Sequence, residues 1–161
     1  MIHFDDYHSN ALSTFNELKK NKEEILSFAE SIYGTLKKGN KILVAGNGGL
    51  CAEAEHFCGE LTCTFNNPNR KAFPAISLTQ NNSSITAWAN DFGYDSYFTR
   101  MVDAFGKDGD ILLLLSTGGG DVENNLSMNL VKCVDNAKNL NMKVLSIIGK
   151  SGGDLKKISD K

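Results

Sequence analysis

The chain has 161 residues, 41% of them hydrophobic, and a formal charge of −2. That is enough for one domain with a core that needs no disulfide or metal staples. The charge balance gives no basic excess for nucleic acid, and no apolar run approaches the length of a membrane span. The leader "MIHFDDYHSN" is polar and acidic, unlike a signal peptide, so a cytoplasmic protein is expected. Cys51, Cys58, Cys63 and Cys133 lack CxxC spacing and read as reduced, buried or half-buried thiols.

Residues 6 to 38 carry Leu12, Phe15, Leu18, Ile25, Phe28, Ile32 and Leu36 at spacings of three, four and seven. This is the stripe of an amphipathic helix, either one arm or two helices broken near Lys20–Asn21, and it must bury itself against something. Ile42 to Ala45 read as a buried strand that feeds the glycines of "GNGG", and a helix is expected over 50 to 62. "FPAISLT" (73 to 79) is a second strand, and a helix fits somewhere within 80 to 104. "DILLLLST" (110 to 117) is a third strand, apolar on both faces. A helix over 128 to 140 and the strand "KVLSIIG" (143 to 149) complete the pattern. Strands that alternate with helices and are nearly continuous in apolar residues imply a doubly wound α/β domain around a parallel sheet.

Ligands of such sheets bind beyond the carboxyl ends of the strands. Two strands here end in glycine-rich loops, "GNGG" and "STGGG", each leading toward a helix start. Unpaired N–H groups and the helix dipole suit such places to phosphate, and glycine lets the backbone approach an anion. Neither loop matches the GxxxxGK[ST] or GxGxxG spacing. His56 and Glu60 lie one helical turn apart on one face. Such a pair can supply two metal ligands or a base, and otherwise forms a solvent-facing ion pair. "NDFGYD" (90 to 95) places Asn90 and Asp91 in a turn or helix cap. His3 and His8 show no partners, and Trp88 reads as a core or interface residue.

"ILVAGNGGLCAEAEHFCGEL", "FPAISLT", "ITAWANDFGYDSYFTRMVDAFGKDGDILLLLST" and "NMKVLSIIGKSGGDL" together resemble the phosphoheptose isomerases, proteins of the sugar-isomerase (SIS) domain. The resemblance runs from about residue 40 to the end. It implies an SIS domain over 39–161 and an N-terminal helical segment over 1–38 that builds a homotetramer, with active sites between subunits. It implies an enzyme that converts sedoheptulose 7-phosphate into glycero-manno-heptose 7-phosphate for bacterial heptose synthesis. Asn47, Gly48, Gly49, Asn90 and Asp91 would contact the sugar phosphate. Ser116, Thr117, Gly118 and Ser127 would bind at the phosphate end. His56 and Glu60 would be two ligands of one zinc ion per subunit, with Glu60 also the acid/base, its pKa ideally raised by burial.

Three departures from the family pattern stand out. Leu50 replaces a helix-start serine. The loop "STGGGDVENNLSMN" is longer than the family's, and an alignment without gaps sets Asp121 against the phosphate. At ~4 Å that repulsion reaches roughly 4 kcal/mol per unit charge at a surface-like dielectric. An insertion, "GGGDVENNL", avoids this and makes Ser127 both the N-cap of the next helix and the matching phosphate ligand; the inserted residues are expected to form a mobile lip. Finally, the chain stops at "KKISDK", whereas the family continues with a strand and a helix whose Gln and His complete the metal site. Ending there would leave the fourth strand's apolar surface uncovered, so a further segment is expected. The alternative to an isomerase is a non-catalytic SIS module that binds a sugar phosphate or a protein partner.

Overall fold

The computed structural model describes residues 3–161. The chain divides into two compact units, residues 1–33 and 34–161.

In the first unit, helix α1 (Phe4–Leu18) passes through a single 3-10 turn, Lys19–Asn21, into α2 (Lys22–Lys37), which runs on into the second unit. Of the two alternatives, one arm or a break near Lys20–Asn21, the break is present, as a tightened turn. Lys20 pairs with Glu17 across that turn at 2.7 Å. α1 buries none of its residues, and Phe4, Tyr7, Leu12, Phe15 and Leu18 are all exposed.

The second unit is built on four parallel strands: β1 (Ile42–Gly46), β2 (Ala75–Ser77), β3 (Ile111–Ser116) and β4 (Lys143–Ile148), in the order β2-β1-β3-β4. β1 and β3 are buried along their whole length, the reason both read as unbroken apolar runs. Each fully buried Leu or Ile there contributes about 1.5–3 kcal/mol by leaving water. β2 is shorter than its apolar run, although its neighbours keep pairing: Ile42 N–H donates to Pro74 O at 3.1 Å and Leu78 N–H to Val44 O at 2.9 Å. The last residues lie along β4, where Asp160 N–H donates to Val144 O at 2.8 Å.

The connecting helices are α3 (Gly49–Thr62), α4 (Asn82–Phe92), α5 (Tyr97–Phe105), α6 (Met128–Asn139) and the short α7 (Leu155–Ile158). The polar stretch at 80 to 104 thus holds two helices, parted by Gly93 at φ 87° and a 3-10 turn at Tyr94–Ser96. Asn81 caps α4 by accepting the Ser84 N–H at 3.0 Å. Tyr97, Phe98, Val102, Leu130, Val134 and Ala137 from α5 and α6 pack with Leu112, Leu114 and Val144 in one core. Trp88 packs against that core and donates its indole N–H to Ser96 Oγ at 2.9 Å. Cys58 and Cys133 are buried and Cys51 half-buried, but Cys63 is exposed, because it follows the last turn of α3 into solvent.

β1 leads to β2 on one side and β3 lies on the other, so the chain reverses direction across the sheet between β1 and β3. In a doubly wound sheet that is where a ligand crevice opens.

Candidate functional site

Both glycine loops lie at that crevice. Gly46 ends β1 opposite Leu115 of β3. A Cβ on Gly46 would stand 2.6 Å from Leu50 O, so only glycine lets α3 start this close to the strand. Gly48, at φ 58°, is the residue before α3, and no side chain caps that helix. Leu50 N–H donates to Asn47 O at 3.1 Å and Cys51 N–H to Gly48 O at 3.0 Å, which leaves the Gly48 and Gly49 N–H groups for a ligand.

Asn47 is held by its neighbours. Its Nδ2 donates to Asn129 Oδ1 at 2.9 Å, and its Oδ1 accepts Asn129 Nδ2 at 2.8 Å and the Tyr94 hydroxyl at 3.1 Å. Asn129 is 2% exposed and also accepts the Leu130 N–H, at 3.0 Å. Burial raises the Tyr94 hydroxyl above its ordinary pKa, with Cys51 and Tyr97 adding to the shift.

The second loop is zipped to the segment after β4. Gly149 N–H donates to Ser116 O, Leu155 N–H to Gly119 O and Asp154 N–H to Gly120 O. A Cβ on Gly119 would come within 1.8 Å of Gly152 O, which makes this a glycine-on-glycine contact. Ser116 is buried and its Oγ accepts the Gly119 N–H at 2.9 Å, while Thr117 and Gly118 are exposed. The additional residues form a closed turn rather than a loose lip. Asp121 and Leu126 exchange backbone hydrogen bonds at 3.0 and 2.9 Å, and Val122 N–H donates to Asp154 Oδ2 at 2.8 Å. The Asp121 carboxylate accepts from Asn124 Nδ2 at 2.7 Å and Asn124 N–H at 3.0 Å, and these bonds lower its pKa. Asp121 is thus spent on its own turn, and Ser127 precedes α6 as the insertion alignment requires. Its expected capping bond is absent: Ser127 sits in the left-handed region at φ 53° and makes no side-chain cap. Gly118 and Ser127 line a cavity of about 950 Å³ together with the charged residues Asp121, Glu123, Lys150, Asp154 and Lys157.

His56 and Glu60 project elsewhere. They line an open groove of about 610 Å³ along α3, with Leu50, Phe57, Leu61, Phe65, Leu115 and Ile147 as its apolar walls. His56 Nε2 is 3.2 Å from Glu60 Oε1. The side chains are 70% and 41% exposed, so Glu60 lacks the burial expected of it, and that wall of the groove is uncovered among the described residues. Arg70 fixes the end of the helix: its guanidinium donates to the carbonyls of Glu60, Leu61 and Cys63. Two donors fall short of the three protein ligands catalytic zinc keeps. Among the described residues no cluster of three or more His, Cys, Asp or Glu could hold a metal.

Asn90 and Asp91 lie in the last turn of α4 rather than in a turn, exposed, with Asn90 Nδ2 donating to Asp91 Oδ1 at 2.8 Å. The helix runs that far because Gly93, not Asn90, supplies the stop. The structure thus groups Asn47, Gly48, Gly49, Ser116, Thr117, Gly118 and Ser127 along the ends of β1 and β3, and leaves His56 and Glu60 in a separate hollow. The sequence reading missed Asn129 and Tyr94. Asn129 sits two residues after Ser127 in a helix otherwise apolar on its inner face, and a buried Asn there was the available signal.

A parallel sheet whose crevice is rimmed by two glycine loops defines a sugar-isomerase-type domain. Residues 6–149 match the SIS domain family model. The phosphoheptose isomerase of Pelodictyon phaeoclathratiforme is 41% identical over 143 residues, which cover 88% of this chain and 65% of that protein. The phosphoheptose isomerase of Cytophaga hutchinsonii is 41% identical over 152 residues, 94% of this chain and 75% of that protein. Among solved structures, a phosphoheptose isomerase from Francisella tularensis superposes with a TM-score of 0.85 at 33% identity, covering 100% of this chain and 83% of that one. One from Neisseria gonorrhoeae gives 0.73 at 30% identity, with 96% and 82% covered. The chain belongs to the SIS domain family and, within it, to the phosphoheptose isomerase family. It spans about two thirds to three quarters of the length of these curated relatives.

Proposed function

We propose that this chain carries the sugar-phosphate site of an aldose–ketose isomerase that converts sedoheptulose 7-phosphate into D-glycero-D-manno-heptose 7-phosphate. The observation that carries the reading is the pair of glycine loops at the ends of β1 and β3, with the N–H groups of Gly48 and Gly49 and the hydroxyls of Ser116, Thr117 and Ser127 beside them. A phosphate monoester dianion suits such a place. Gly48, Gly49, Asn90 and Asp91 would meet the sugar.

The isomerisation removes a proton from C1 of the ketose, passes through a cis-enediol and returns a proton to C2, while the hydroxyl proton moves from O1 to O2. Glu60 is the base we assign to the carbon-bound proton, with His56 beside it as an orienting partner. In a right-handed βα unit α3 runs back along β1, and ~1.5 Å per residue sets Glu60 roughly 16 Å from Gly49. The pair and the loops face separate hollows of one chain, which supports a site completed between copies in a homotetramer. Zinc on His56 and Glu60 would need a third donor from outside these residues. The substrate class points to bacterial heptose synthesis for lipopolysaccharide or capsule, in the cytoplasm.

Mixing Glu60→Gln chains with Ser127→Ala chains at limiting substrate tests this: activity above what the Ser127→Ala chains supply alone supports a shared site, and activity no higher than that counts against it. The exposure of Glu60 favours one other reading, a module that binds sugar phosphate without turning it over.

A further inference from the structure

We propose that Asn129 is a positioning residue: with Asn47 it forms a latch that fixes the β1 loop against the first turn of α6, and so sets the distance between the two loops that receive the phosphate. The role of this distance rests on the sugar-phosphate reading above; the latch itself does not.

The orientation of the pair follows from one donor. Leu130 N–H can only donate, so the Asn129 atom facing it is Oδ1. Nδ2 of Asn129 must then face Asn47 Oδ1, and Asn47 Nδ2 must face Asn129 Oδ1, as both distances bear out. Tyr94 adds its hydroxyl to Asn47 Oδ1 from the 3-10 turn before α5. Asn47 Oδ1 now has both lone pairs taken and Nδ2 keeps a single N–H. Asn47 is therefore mostly consumed in holding the loop, and a ligand there meets chiefly the N–H groups of the glycines that follow. Losing one partner would leave buried Asn129 groups unpaired, which costs more than the bonds themselves.

An Asn129→Asp variant separates this latch from a merely structural role. An un-ionised carboxyl offers one C=O and one O–H, the same pattern as a carboxamide, and closes the latch. The ionised form sets a second acceptor against Asn47 Oδ1 and opens it. Burial and the need to donate both raise that carboxyl's pKa in the folded state, so the latch should be present at low pH and lost as pH rises through the raised value. A role in helix stability alone predicts the reverse, since a carboxylate near a helix N-terminus is favoured when ionised. The titratable side chains on the surrounding elements are Cys51, Tyr94, Tyr97, Asp95, Lys132 and Cys133, and wild-type protein measured at the same pH accounts for them.

The experiment is amide hydrogen exchange of residues 46–52 without ligand, together with equilibrium dialysis against sedoheptulose 7-phosphate, at about pH 5.5 and about pH 8. Wild type, Asn129→Asp and Asn129→Leu are compared, with Asn47→Asp as the same test from the exposed side of the pair should the α6 variants not fold. Relative to wild type at each pH, Asn129→Asp should lose loop protection and about tenfold in affinity at the higher pH and regain both at the lower. Asn129→Leu should lose them at both. Wild-type protection in Asn129→Asp at the higher pH, or loss in folded protein that acid does not reverse, overturns the latch. A wild-type chain with a protected loop that binds no sugar phosphate instead overturns the isomerase reading.

Discussion

The loops at the ends of β1 and β3 are built of glycine and polar residues, the groove along α3 mainly of apolar ones, and the two reach different degrees of completion. In and beside the loops several polar groups have partners within the chain: Asn47 in Asn129 and Tyr94, Ser116 in Gly119, Asp121 in Asn124, Asp154 in Lys157 and Val122. The groove holds a half-exposed carboxylate, an exposed imidazole and apolar walls that include Phe65 at 67% and Ile147 at 55% exposure. On the proposed reading, the phosphate end would be organised within one chain, whereas proton transfer at Glu60 would need surroundings that exclude water.

The sharpest way to separate the two regions is Glu60→Gln. Turnover should fall about 10²–10⁴-fold while sugar-phosphate affinity stays near wild type, measured by kinetics and dialysis on one preparation. A parallel loss of affinity would merge the regions. Next in size is Gly119→Ala, which drives a Cβ into Gly152 O and forces alanine to φ 77°. It should cost about 2–4 kcal/mol in denaturant unfolding, since backbone faces backbone and neither loop can yield cheaply. Ser127→Ala should weaken sugar-phosphate binding about tenfold with little change in Tm, because its hydroxyl makes no capping bond to lose. Chelation with EDTA should leave that affinity unchanged, since the loops bind through N–H and O–H groups.

The smallest effect concerns acid. Asp154 is held below its ordinary pKa by Lys157 and the Val122 N–H, and Asp121 by Asn124. A depressed carboxylate stabilises above its unfolded pKa, and that support is lost as pH falls through the folded value. The Val122 and Asn124 amide shifts should therefore hold steady at about pH 5 and move only below the ordinary carboxylate range of about 3.9.

Much of the fold was legible because β1 and β3 are buried on both faces, which writes apolar runs into the sequence, and because Gly46 and Gly119 admit no side chain. β2 was overestimated because the chain turns at Leu78–Thr79, directly after Ser77. Asn90 and Asp91 were misplaced because "ND" before aromatics has a turn's composition, while the α4 stop lies at Gly93. The Asn47–Asn129 latch joins residues 82 positions apart, and no local pattern encodes such a pair. The exposure of Glu60 was equally invisible, because burial depends on what covers the helix rather than on the helix itself.

The most direct test of the central claim is proton NMR of sedoheptulose 7-phosphate with this chain in D2O, with binding measured in the same sample. The account predicts saturable binding, deuterium entering at the carbon beside the carbonyl, and the aldose appearing, all of the exchange being lost in Glu60→Gln. Binding without any exchange would contradict the isomerase and leave a sugar-phosphate-binding module.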